Sequence, residues 1–406
     1  MEFQAHLISW NVTKRCNSKC THCYLDASDV KGERELTTKE GLKLIDQMAE
    51  VNPRAMLVLS GGEPLMRGDI LDLARYASQK GLMVVVGTNG TLIDNALAEG
   101  MKGNGVSGVG ISLDSLSLDV HDAFRGVKGA WDRTLRGIEA CKSRGLPFQI
   151  QTTLTKGNYN EVPSLIEYSH RVGARAFNLF FLVCTGRGEG LSDITPDQYE
   201  EVLSYLATIQ GKFDDMIVRA RCAPHFIRFV HQQNQDPILL KEYPKGCLAG
   251  THYCRITPEG DVTPCPYLPL KVGNVRERSF REIWKNAEVL QDLRGAKLKG
   301  RCGRCEFVSV CGGCRARAYA LSHDYLGEDP WCSYLPEGRD PRIMEEEMVI
   351  WTEEARRRFD RAPSFIRGIV MSKIQQFARD RGHYIITLDL IEDFKKGSIK
   401  NYRQFH

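Results

Sequence analysis

Fourteen cysteines stand in this 406-residue chain, and their spacing is its clearest sign of chemistry. Cys16, Cys20 and Cys23 follow a C-x3-C-x2-C pattern just after an apolar run, Leu7–Val12. Three thiolates on a short loop suit an iron–sulfur cubane whose fourth iron stays open, whereas a structural zinc site closes with four ligands. Apart from His22, nothing nearby completes a zinc set. Eight more cysteines run as Cys247-x6-Cys254-x10-Cys265 and Cys302-x2-Cys305-x5-Cys311-x2-Cys314-x17-Cys332. Eight thiols can furnish two four-thiolate sites, and spacing alone does not choose between zinc and iron–sulfur clusters. Cys141, Cys184 and Cys222 lie between the two groups.

Such loops need a scaffold. The apolar runs Leu7–Val12, Met56–Leu59, Met83–Val86, Val109–Leu113, Phe148–Thr153 and Ala176–Val183 read as strands. Between them Lys39–Val51, Asp69–Gln79, Asp132–Arg144 and Asn160–Val172 carry helical amphipathic spacing. Six strands alternating with helices predict a parallel α/β fold, and a partial (βα)6 TIM barrel suits six units better than a closed eight-fold one. The cysteine triplet then falls at the strand end where such proteins place their active sites. Residues 247–332 are instead dense in Cys, Gly and Pro, with brief helical periodicity at Phe280–Leu293, which predicts support by metal. After a turn-rich link, Leu335–Pro341, the segments Glu345–Phe359 and Ser364–Arg381 predict a small helical tail. The expected domains are therefore 1–235, 236–338 and 339–406.

Composition narrows the class. With 42% hydrophobic and 26% charged residues the chain is neither disordered nor collagen-like. A net charge of +4 is far from the footprint of a nucleic-acid binder. No run approaches the ~18 apolar residues of a membrane span, and no export signal precedes Trp10. A cytoplasmic protein is expected, and there cysteines serve metals or catalysis rather than disulfides.

Together these features resemble the radical S-adenosylmethionine (radical SAM) superfamily. The resemblance rests on the triplet with His22 before its last cysteine, and on Ser60-Gly61-Gly62-Glu63-Pro64 after the second strand. Thr88-Asn89-Gly90 after the third and Ser112-Leu113-Asp114 after the fourth add to it. It implies that Cys16, Cys20 and Cys23 hold a 4Fe–4S cluster whose open iron binds S-adenosylmethionine (SAM). One electron then cleaves SAM to methionine and a 5′-deoxyadenosyl radical. Gly61, Gly62, Glu63 and Pro64 would meet the methionine end of SAM, while Asn89, Ser112 and Asp114 would reach its ribose and carboxylate. The later cysteines, with Gly260 ahead of Cys265, resemble the SPASM extension of these enzymes. That implies two auxiliary 4Fe–4S clusters, one on Cys247, Cys254, Cys265 and Cys314, the other on Cys302, Cys305, Cys311 and Cys332. The two-residue gap from Cys311 to Cys314 departs from the commoner three.

Further stretches resemble the radical SAM proteins of heme d1 and alternative heme biosynthesis. They are Leu7–Thr13, Phe180–Val183 with Thr185-Gly186-Arg187, Cys222-Ala223-Pro224-His225-Phe226, and Gly246–Gly250. The tail, from Trp351 through Pro363, Phe365, Ile366 and Arg367 to Arg379, resembles the C-terminal domain of the light-independent protochlorophyllide reductase B subunit. The implied substrate is an iron tetrapyrrole losing a carboxylate side chain, with a flavodoxin or ferredoxin as electron donor. Arg356 to Arg381 holds eight basic against two acidic residues, a charge suited to substrate carboxylates. Cys222 and His225, expected on a loop after the sixth strand, are the candidate catalytic residues, as heme ligand or hydrogen donor. Two other readings remain: a SPASM maturase acting on a peptide, and a non-enzymatic iron–sulfur electron carrier. A barrel starting within about ten residues of Met1, with no leader-binding domain before it, weighs against the first.

Overall fold

The computed structural model describes residues 3–190, 194–209, 211–232, 246–295, 297–337, 350–359, 374, 377, 378, 381, 383 and 385–402. From the N-terminus, strands and helices alternate as β1 (Leu7–Thr13), α1 (Thr38–Val51), β2 (Met56–Gly61), α2 (Ile70–Gln79), β3 (Met83–Thr88), α3 (Asn95–Gly103) and β4 (Val106–Ser112). There follow α4 (Leu118–Arg125), α5 (Ala130–Ser143), β5 (Phe148–Leu154), α6 (Val162–Val172), β6 (Ala176–Phe181), α7 (Pro196–Thr208), β7 (Ile217–Arg221) and α8 (Phe226–Gln232). These seven strands pair in parallel in chain order as an open sheet. The six expected strands are all present. The seventh is a difference: Ile-Val-Arg-Ala-Arg carries too few apolar residues to announce a strand, yet Val218 and Ala220 are buried in the core. Cys222 and His225 consequently follow the seventh strand, not the sixth.

Sheets buried on both faces read as continuous apolar runs, but these strands alternate. Ile8, Trp10, Leu57, Leu59, Val84 and Val86 pack against Leu44, Ile45 and Met48 of α1 and Leu73 of α2. The intervening residues, such as Asn11, Ser60, Gly87, Ser112 and Gln149, face the other way. At these positions the face turned from the helices is polar or small-sided, which suits an interior that receives a polar ligand.

The cysteine-rich region extends this sheet. Strand β8 (Tyr253–Ile256) pairs in parallel with β1, and β9 (Asp261–Thr263) with β10 (Gly273–Asn274) forms an antiparallel edge. The helical stretch expected at Phe280–Leu293 is two helices, α9 (Phe280–Asn286) and α10 (Glu288–Arg294), parted by extended backbone at Ala287. Phe280, Ile283, Trp284 and Leu290 join the same core as Ile8 and Trp10, so this half of the region does not depend on metal alone. In the rest of this region, among the described residues, only α11 (Gly300–Gly303) and α12 (Arg315–Ser322) are helical, and apolar packing shrinks to small clusters around the cysteines.

The tail has its own core. Strand β11 (Ile350–Trp351) pairs with β12 (Ile385–Ile386), and Ala355 and Phe359 of α13 (Glu353–Phe359) pack with Leu390 and Ile391 of α14 (Leu388–Tyr402). Helix α14 was not expected. The predicted domain limits at 235/236 and 338/339 lie outside the described residues, as do Pro363, Phe365, Ile366, Arg367 and Arg379. Among the described residues no helix is long and apolar enough to cross a membrane.

Candidate active site and thiol groups

Strand β1 delivers the chain directly into the triplet loop. Two glycines let the end of β2 lie against it: a Cβ on Gly61 would sit 2.4 Å from the Thr13 carbonyl, and one on Gly62 2.4 Å from that of Arg15. The contact is hydrogen-bonded, Gly62 N–H to Thr13 O and Glu63 N–H to Arg15 O, both at 2.8 Å. No other residue tolerates this approach together with the Gly61 φ of +139°.

Glu63 is fully buried. Its carboxylate accepts Thr88 Oγ1 at 2.8 Å, the Asn89 N–H at 2.9 Å and the Leu65 N–H at 3.1 Å. Burial raises its pKa, only partly offset by those bonds. Asn89 continues the chain of contacts, donating to Asn17 Oδ1 at 2.7 Å and Ser18 Oγ at 3.2 Å in the triplet loop. The segments after β1, β2 and β3 are therefore one hydrogen-bonded unit. Pro64 opens the short turn that follows.

Ser112 ends β4 on the polar face, beside Gln151 in register. Asp114, two residues on, is held by protein partners. It is buried and ion-paired with Arg125, and its Oδ1 accepts the Thr153 N–H at 2.9 Å. Burial would raise its pKa, but the Arg125 guanidinium overrides this and holds the carboxyl below its usual range. Arg125 also reaches Cys20 Sγ at 3.6 Å. Sequence reasoning passed over Arg125, because an arginine ending an amphipathic helix looks like a solvated charge.

His22 stacks on Phe124 with ring centroids 4.3 Å apart. Burial, then Arg125, push its pKa down to about 4, so it stays neutral. Arg187, which follows β6, clamps the loop by donating to Cys20 O and Ala27 O, each at 3.0 Å. Cys16, Cys20, Cys23 and Glu63 are electrostatic neighbours, and burial pushes the Cys16 thiol up to about 12. Binding metal there must displace that proton.

The later cysteines form two groups. Cys302, Cys305, Cys311 and Cys332 line one pocket with His225 and Asp329, as the second expected set requires. Cys247, Cys265 and Cys314 share a small apolar cluster with Val183, Ala249 and Leu268. Cys314 thus stands with the first set. The fourth expected member, Cys254, is absent from that cluster; it lies in the main core beside Ile256, with Arg294 as its charged neighbour. In its place stands Cys222.

Asp329 joins the groups, its Oδ2 accepting the Cys314 N–H at 2.7 Å and its own N–H pointing to Cys302 Sγ at 3.4 Å. Arg317 lies 3.0 Å and His225 Nε2 3.2 Å from the same oxygen, all three side chains buried. Burial works against a charge on His225, but Asp329 and Cys332 carry its pKa up to about 9. His225 is therefore lodged among the thiols rather than on an open barrel mouth. Neither Asp329 nor Arg317 was foreseen, since neither belongs to a spacing pattern.

The donor chemistry fits iron–sulfur clusters. Backbone N–H groups approach Cys23, Cys302 and Cys311 sulfurs at 3.4 to 3.5 Å, the bonds that tune cluster thiolates. Among the described residues no three His, Cys, Asp or Glu groups converge as one metal ion would need. A four-iron cluster, whose ligands bind separate irons, asks for a wider spread. A further pocket lies between the triplet loop and the cysteine-rich region, lined by Lys14, Tyr24, Cys184, Arg255, Glu259 and His323 among others.

Family models match three stretches: the radical SAM superfamily at residues 10–168, an iron–sulfur cluster-binding domain (SPASM) at 247–314, and the proto-chlorophyllide reductase 57 kD subunit at 351–395. The AdoMet-dependent heme synthase of Methanosarcina barkeri is 44% identical over 81% of this chain and 97% of its own length. That of Nitratidesulfovibrio vulgaris is 42% identical over 82% and 94%. The SAM-bound crystal structure of Streptococcus suis SuiB superposes with a TM-score of 0.67 at 17% identity, covering 82% of this chain and 78% of that one. It shares the fold.

Proposed function

This chain belongs to the radical SAM superfamily and carries the SPASM domain, with 4Fe–4S clusters and SAM as its cofactors, and from that we propose that it removes a carboxylate side chain from an iron tetrapyrrole in making heme. When bound, the triplet cluster and SAM supply a carbon-centred radical able to take a hydrogen atom.

One observation in the pocket supports the substrate. Arg255 is only 7% exposed, its Nε has no hydrogen-bond partner among the described residues, and a single backbone carbonyl, that of Pro266, accepts from its Nη1 at 3.2 Å. A buried guanidinium without an anion is costly, and a propionate or acetate arm would answer it with paired hydrogen bonds. Lys14, on the triplet loop, reaches Glu259 at 3.4 Å while half exposed and is available to a second carboxylate. On this reading the acid arms of a substrate would lie beside the loop that carries Cys16, Cys20 and Cys23.

The remaining chain-borne roles follow from the geometry. Gly61 and Gly62 let the turn after β2 lie against the triplet loop, Glu63 and Asn89 hold the three strand ends in register, and Arg125 balances charge at Cys20. A flavodoxin or ferredoxin in the cytoplasm would supply electrons. Anaerobic turnover with SAM, reductant and iron tetrapyrroles bearing acetate or propionate arms tests the proposal by product mass. Loss of an acid arm supports it. Cleaved SAM with unchanged tetrapyrrole would redirect the reading to a peptide substrate.

A further inference from the structure

We infer that Cys222, not Cys254, is the fourth thiolate of the first auxiliary cluster, alongside Cys247, Cys265 and Cys314. The inference rests on the cofactor class and is independent of the tetrapyrrole substrate, so the two fail separately.

Strand parity excludes Cys254. In the parallel ladder of β1 and β8, Cys254 is partnered with Ile8 and Ile256 with Trp10. All four side chains are fully buried in the core under α1 and α9. Residues of the other parity, Tyr253 and Arg255, pair with Leu7 and Ser9. Tyr253 packs with Cys247, Cys265 and Cys314, and Arg255 lines the pocket. Side chains one residue apart on a strand point to opposite faces, so Cys254 is turned away from the other three thiols. Bringing it to them requires a one-residue slip of β8, which would drive Arg255 into the apolar core.

Cys222 has what Cys254 lacks. It follows β7 at a φ of +57°, a conformation rarely adopted by a residue with a side chain. Its carbonyl is fixed by Arg317 Nη2 at 2.9 Å and by Tyr199 OH at 3.4 Å, and its side chain packs in the same small cluster as the three thiols. Arg317, buried, also neighbours Cys314 and offers the positive charge that a four-thiolate cluster needs when removed from water. Cysteine spacing does not reveal this, because Cys222 precedes Cys247 by 25 positions and belongs to no repeat of the pattern. Cys222 is then a cluster ligand and not a hydrogen donor to substrate.

The test uses the full chain with Cys16, Cys20 and Cys23 all changed to Ala, so that iron and spectra report only the auxiliary clusters. Into it go Cys222→Gly and, separately, Cys254→Ala. Glycine suits the +57° backbone, so this variant removes the thiol without adding strain. Each protein is reconstituted anaerobically, and circular dichroism confirms its fold. Iron and sulfide are then assayed, and the dithionite-reduced protein is examined by EPR. Cys254→Ala should keep roughly eight irons and the parent spectrum, while Cys222→Gly falls towards roughly four and loses or alters one cluster signal. Full iron with an unchanged spectrum in Cys222→Gly overturns the inference, as does a loss of iron in Cys254→Ala.

Discussion

The carboxylate of Glu63 accepts the backbone N–H of Asn89 at 2.9 Å, fastening the turn after β2 to the turn after β3. Through Asn89 the same link reaches Asn17 and Ser18, so one buried acid sets the shape of the loop that carries the triplet.

Glu63→Gln should therefore weaken SAM binding although Glu63 touches three protein donors. The amide keeps one acceptor oxygen and sets its NH2 against Thr88 or Asn89. A hydrogen bond to a charged group contributes about 1.5–3 kcal/mol, so affinity should fall by roughly 10- to 100-fold. Calorimetric titration of the reconstituted protein with SAM reads this directly; unchanged affinity would show that the link is dispensable.

Removing Arg125 should cost stability before it costs chemistry. Arg125→Met leaves Asp114 buried without its counter-charge, a change worth about 3–5 kcal/mol of destabilisation. Adding Asp114→Asn to Arg125→Met should recover part of the loss. Urea midpoints of both single variants and the pair check it, and additive effects would rule out the coupling.

Arg255→Ala should raise KM for the tetrapyrrole by about tenfold or more while leaving SAM cleavage without substrate unaffected. Arg255→Lys should recover little, because a point charge does not reproduce a guanidinium fork. Equal loss of uncoupled SAM cleavage would place Arg255 in the architecture rather than at the substrate.

Glu40 and Arg276 give an acid-side signature. Arg276 bonds Glu40 at 2.6 Å, and with the Thr37 cap it holds the carboxyl at about 2, against an ordinary 4.5. The folded pKa is depressed, so the contribution is complete above about 4.5 and is lost as pH falls towards 2. Glu40→Gln should therefore lower the urea midpoint at pH 6 and matter progressively less as the medium is acidified. Both groups are partly exposed, so added salt should shrink the difference.

What could be read from the chain divides along the distance of the contacts. Six strands and the triplet are written in runs of adjacent residues, where apolar alternation and thiol spacing are local facts. Strand β7 escaped because Arg219 and Arg221 alternate with its core residues Val218 and Ala220 and leave no apolar run. The break at Ala287 leaves helical spacing nearly intact on either side. The facing of Cys254 is hidden for a different reason. Its facing is decided by register against Ile8, some 246 residues earlier, and no spacing among cysteines carries that information. Asp329 and Arg317 are likewise ordinary in sequence and become significant only where the two thiol groups meet.

The position of β1 between β2 and β8 bears on how the protein is made. Strand β1 lacks one of its two neighbours until Tyr253–Ile256 has been synthesised, about 240 residues later. At roughly 5–20 residues per second that is an interval of about 12–50 seconds. Throughout it one edge of β1 is a bare row of N–H and C=O groups, open to pairing with another nascent chain. Overexpression, which crowds such half-made sheets together, should therefore yield inclusion bodies even when iron and sulfide are plentiful. Slower synthesis should improve recovery where extra cluster supply does not.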